Sequence, residues 1–190
     1  MDKKLGKILG VVLGIITIVL IAVTFFVNLG TVTEKVSILG HSSSSTTNST
    51  FFGTIYNGHF SSWAKGTTGL TGSALNKANS GIDMIYASMA TIIIAAVFAI
   101  IGIVAVFGKS SKIMKNMSFI APTISAILII VTIVLYYEGA STVISALTSG
   151  IPPSLITTTV SLAIGAYLAI AAVVVEFLAA GFNIISHGKH

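Results

Sequence analysis

The chain contains no cysteine, no arginine and no glutamine, and only three prolines in 190 residues. The missing cysteine excludes disulfides, thiolate metal sites and cysteine nucleophiles. The missing arginine removes the side chain best shaped to hold a phosphate or carboxylate through two parallel hydrogen bonds. Charge is also scarce: 8% of residues are charged, against roughly 25% in a soluble domain. A soluble protein of this size must still cover itself with polar groups, so the shortfall excludes an ordinary globular domain. The histidines, His41, His59, His187 and His190, all lie outside the apolar runs, so a haem held by two histidines between helices is excluded. No P-loop, G-x-S-x-G, H-E-x-x-H or Rossmann fingerprint is present. We therefore expect no catalytic residues, no metal and no cofactor, and a non-enzymatic protein.

What the chain does have is four long apolar runs, Ile8–Leu29, Ile82–Phe107, Phe119–Tyr137 and Leu155–Ile185. Each is about long enough to cross a hydrocarbon core of roughly 30 Å at 1.5 Å per helical residue. The expected fold is an all-α membrane protein, a four-transmembrane-helix bundle with a small β-rich extracellular loop. The whole of 1–190 forms a single membrane domain, with helices at about 6–29, 81–108, 118–138 and 154–186 and the outer loop 30–80 as a hairpin-like cap. The first run is expected to be a retained anchor, because it exceeds the usual length of a signal-peptide core and no A-x-A site follows it.

The net charge of +5 is a topology signal. Lys3, Lys4 and Lys7 precede the first run, Lys109, Lys112 and Lys115 fill the link between the second and third, and Lys189 follows the fourth. On the other side Lys35, Lys65 and Lys77 are balanced by Glu34, Asp83 and Glu138. Positive charge marks the cytoplasmic side, so both termini are expected there, in a multi-pass protein of a cell membrane or membrane envelope. The expected partners are the lipid bilayer and either further copies of the chain or a larger membrane complex. Nucleic acid is not expected, since no lysine cluster is dense enough.

Helices in a bilayer associate through close packing of small residues, because lipid tails are as apolar as leucine. Gly6, Gly10 and Gly14 form a G-x-x-x-G-x-x-x-G stripe on the first helix. Ala87, Thr91, Ala95 and Ala99 repeat at four-residue spacing on the second, and Gly165, Ala169 and Ala172 lie on one face of the fourth. Pro122 is placed in the first turn of the third helix, where its missing N–H costs little. Ser125 and Thr132 share a face of that helix and are expected to bond to backbone or to a neighbouring helix. Glu176 is the one charged residue well inside an apolar run. A carboxyl group there is costly and points into the bundle, either bonded to a neighbouring helix or marking an ion or proton path.

In the outer loop, Thr31–Leu39 and Thr50–Tyr56 read as strands, the second followed by the turn signal Asn57-Gly58. His41–Thr50 between them reads as a flexible polar tract. Phe51, Phe52, Phe60 and Trp63 supply a local core or a contact surface, and Asn48-Ser49-Thr50 is a glycosylation sequon. In the second outer loop, Ala140–Leu147 reads as a short helix lying on the membrane surface.

The layout of cytoplasmic termini, a first outer loop of strand character and a short second one resembles the claudin type of tetraspan. Trp63 and the later Gly69-Leu70 stand in the loop as parts of the claudin motif do, in different spacing and without its two cysteines. The resemblance implies side-by-side assembly in the membrane with the outer loop making contacts. We expect a structural or assembly role. The alternatives are an accessory subunit of a respiratory-type membrane enzyme complex and a small proton- or ion-coupled transporter using Glu176.

Overall fold

In the computed structural model, residues 3–38, 41–50, 72–108 and 112–187 are described. The elements run α1 (Lys3–Phe26), β1 (Gly30–Ile38), β2 (His41–Ser49), α2 (Gly72–Phe107), α3 (Lys112–Leu147), β3 (Ile156–Leu162) and α4 (Ile164–His187). The molecule is mostly helical, with four long apolar helices and one small sheet of order β2-β1-β3.

Helix α2 begins at Gly72 rather than near 81, taking 72–80 from the expected outer loop, and α3 begins at Lys112 rather than near 118; three further differences have a local reason. The expected fourth helix begins as a strand. Ile156–Leu162 (ITTTVSL) is β-branched and alternating, with Ile156, Thr158, Val160 and Leu162 half-buried and the residues between them exposed. Helix α4 begins only at Ile164, and its early N–H groups are satisfied by the chain leaving α1: Gly165 N donates to the Asn28 carbonyl at 2.7 Å. The tract His41–Ser49, expected to be flexible, pairs antiparallel with β1 over its whole length, from Gly30 opposite Ser49 to Ile38 opposite His41. The ladder and cross-strand pairs such as Thr33 with Thr46, whose hydroxyls lie 3.3 Å apart, hold it without apolar side chains. The third boundary is the end of α3. The expected surface helix at Ala140–Leu147 is the continuation of α3 itself.

Packing divides the chain into two compact units. The first comprises Met1–Val23, Ala90–Thr132 and Leu168–His190, the second Thr24–Met89 and Ile133–Tyr167. In the first unit, Gly10 of α1 lies against Asn183 of α4, and a Cβ at Gly14 would stand 2.7 Å from Ile103 of α2. A Cβ at Gly102 of α2 would stand 2.9 Å from the Pro122 ring of α3. Gly6 is buried as well. In the second unit two glycines meet backbone to backbone. A Cβ at Gly81 would lie 2.7 Å from the Gly139 carbonyl oxygen, and one at Gly139 would lie 2.6 Å from that of Gly81. In the same unit β1 rests on α3, with Gly30 under the buried ring of Tyr136.

Small and hydroxylated residues fill the buried faces, and large apolar ones point outward. Among the described residues, alanine supplies more than half of the buried apolar positions, whereas Phe26, Phe107, Ile113 and Tyr167 are each more than 60% exposed. Water would reverse this arrangement; hydrocarbon tolerates it, because outward apolar side chains cost nothing there.

Candidate functional site

The buried face of each helix repeats every seven residues. In α2 it runs Ala78, Ile85, Ile92, Ala99 and Val106, and in α3 it includes Ser118, Ser125, Thr132 and Ala146. In α4 it includes Ala169, Glu176 and Asn183, with Ala172 and Ala179 alongside. Seven residues in two turns is the repeat that left-handed helix packing requires. A four-residue step drifts by about 40° around the helix. The stripe read from Ala87 therefore rotates outward: Ala95 and Ala99 are buried, Thr91 is half-buried and Ala87 is exposed.

Within the first unit this repeat stacks three polar pairs, each joining two helices. The lowest pair starts at Pro122. The helix begins at Lys112, so Pro122 sits inside it rather than in its first turn. A proline lacks the N–H that would bond the carbonyl four residues earlier, which here belongs to Ser118. Asn183 of α4 supplies the missing donor, its Nδ2 lying 2.7 Å from the Ser118 carbonyl oxygen. The two glycines noted above make the room: Gly10 lets the amide of Asn183 reach in, and Gly102 accepts the proline ring. The four helices thus meet at one node, built from Gly10, Gly102, Ser118, Pro122 and Asn183. Sequence reasoning missed Pro122 and Asn183 as partners. The signal was a proline inside an apolar run and a lone amide at helical register in the last one.

Two turns along, Ser125 of α3 faces Glu176 of α4. Ser125 is fully buried and Glu176 is 1% exposed. Neither the Ser125 Oγ nor the Glu176 Oε1 has a partner at hydrogen-bonding geometry. Two turns further, the Thr91 and Thr132 hydroxyls lie 2.8 Å apart. The Thr132 hydroxyl also lies 2.9 Å from the Leu128 carbonyl oxygen of its own helix. Successive rungs stand about 10.5 Å apart along a helix axis, several times the reach of a hydrogen bond. A proton cannot step directly from rung to rung, whereas polar layers at fixed intervals define which turn of one helix meets which turn of the next.

The other candidate residues lie elsewhere. Ala169 and Ala172 are buried on the Glu176 face, and Gly165 lies in the second unit, its Cα 's open side against the Asn28 carbonyl. Asn48 is exposed on β2. Phe51, Phe52, Phe60 and Trp63, with the expected strand Thr50–Tyr56 beyond Thr50, lie outside the described residues. Among the described residues no three His, Asp or Glu side chains group as a metal site would require.

Four helices long and apolar enough to cross a membrane, together with a small sheet, place the chain by length and composition in the class of polytopic membrane proteins. No family model matches the sequence, and no curated protein matches it.

Proposed function

We propose that this chain is a non-enzymatic, multi-pass membrane protein with a structural or assembly role. The observation that supports this most is the use of its interior polar groups. Two of the three stacked pairs bond helices of the same chain to one another, as a fixed scaffold requires, while large apolar side chains cover the outside. Gly10 and Gly14 are engaged inside the chain, so lateral association would use the outward faces of the helices and the exposed strand β2. The lysines in the first turns of α1 and α3 support a cytoplasmic placement of both termini.

Native mass spectrometry of the protein extracted from its own membrane in mild detergent tests this reading. A defined homo-oligomer or an extended array is the expected result. Stable association with redox subunits would replace it with the accessory-subunit reading, and a strictly monomeric protein would refute an assembly role. A second reading, a small proton- or ion-coupled transporter, is favoured by one observation alone: the Glu176 carboxyl is buried opposite Ser125 with one oxygen unpartnered.

A further inference from the structure

The second unit holds a half-open cavity of about 350 Å³ between the last turns of α3 and strand β3. That volume is at the small end of the roughly 300–1,000 Å³ typical of ligand sites. Its walls carry hydroxyl groups: Tyr137, Ser141, Ser145 and Thr148 from α3 and Thr158 from β3. The α3 residues recur at three- and four-residue steps and so share one face. Ile156, Thr158, Thr159 and Val160 of β3 close the other side.

The hydrogen bonds within the walls fix what the cavity offers. Lys77 Nζ donates to Ser145 Oγ at 2.5 Å, which leaves the Ser145 O–H free to donate. Thr148 donates to the Ile144 carbonyl, which leaves its oxygen free to accept. Thr158 Oγ1 is buried behind the wall, closed to the cavity, so the hydroxyls that an occupant can reach are those of α3. The occupant must bring both donors and acceptors, because a hydroxyl both gives and takes.

Charge narrows the class. An anion finds one lysine here and no arginine. It also meets the carbonyl end of α3, which carries negative partial charge. Glu34 pairs with Thr158 in the sheet and so stands on the same face of it, and Glu138 follows Tyr137 directly. A metal ion is opposed by the Lys77 ammonium, bonded to a wall hydroxyl. A neutral polyol suits both the wall hydroxyls and the ring of Tyr137, which is 40% exposed and offers a flat apolar surface for the C–H face of a sugar. We propose that this cavity binds a neutral saccharide unit, either a free sugar or the sugar headgroup of a glycolipid.

The test uses the full chain in phosphatidylcholine nanodiscs, free of sugar-based detergent. Saturation-transfer NMR is recorded with methyl glycosides of glucose, galactose and mannose and with maltose. In parallel, thermal melting is compared in nanodiscs with and without a diglucosyl diacylglycerol. Transfer to sugar C–H protons identifies a site for soluble saccharides, and a melting shift confined to glycolipid discs identifies a headgroup site. In either case Ser141→Ala, which removes one wall hydroxyl, should weaken the effect about three- to tenfold while the melt without ligand is kept. Tyr137→Ala should abolish it, and equimolar inorganic phosphate should not compete. Absence of both signals, displacement by phosphate, or an unchanged response in Ser141→Ala overturns the proposal.

Discussion

Glu176 shows how one side chain reads differently in water and in lipid. On a soluble surface a glutamate needs no explanation, but here it is 1% exposed inside a helix of spanning length. Glutamine has nearly the same volume, carries no charge and can donate its amide hydrogens to the Ser125 oxygen. If Glu176 only packs, Glu176→Gln should melt at the wild-type temperature or above it, whereas Glu176→Ala should lose about 1–3 kcal/mol by leaving a hole beside Ser125. Melting in nanodiscs and the decay of a pH gradient in proteoliposomes together separate the two readings. A wild-type melt with slowed proton flux in Glu176→Gln would establish the transport role. The position and inward direction of Glu176 were legible in the sequence, because a lone charge in an apolar run has few places to point. Its partner Ser125 was not, since a serine in a membrane helix bonds its own backbone as readily as a neighbour.

Among the elements, α3 departs most from expectation. Hydropathy marks only the part that suits hydrocarbon, so the sequence suggested a span of 118–138 where the helix runs Lys112–Leu147. That error placed Pro122 in a first turn and hid the need for Asn183. Similarly, the small-residue faces were legible as small residues, but the seven-residue repeat shows only when Ser, Thr, Ala and Gly are counted together. Strand β3 was missed because its β-branched run adjoins an apolar helix without a charge between them. The repair of α3 by α4 predicts a specific coupling. Asn183→Ala leaves the Ser118 carbonyl bare and should cost about 1–3 kcal/mol. In a Pro122→Ala background the helix closes that bond itself, so the same Asn183→Ala change should cost clearly less. Unfolding of the four variants in a double-mutant cycle measures the difference. Additive costs would show that the amide and the proline act independently.

For the whole molecule, the absence of cysteine turns every introduced thiol into a clean reporter of sidedness. The proposed topology, with both termini cytoplasmic, predicts that Ser43→Cys on exposed β2 reacts in intact cells with a membrane-impermeant maleimide. Lys112→Cys at the start of α3 should react only after the membrane is opened. The opposite pattern would invert the proposed topology, and labelling of both in intact cells would remove one crossing. The exchange between Pro122 and Asn183 also has a consequence for biogenesis. The ribosome completes α3 before α4, so until α4 packs, the Ser118 carbonyl lacks the donor that Asn183 supplies. Docking of the fourth helix and completion of the third helix's hydrogen bonds are thereby the same event, and the proline works as a checkpoint on assembly.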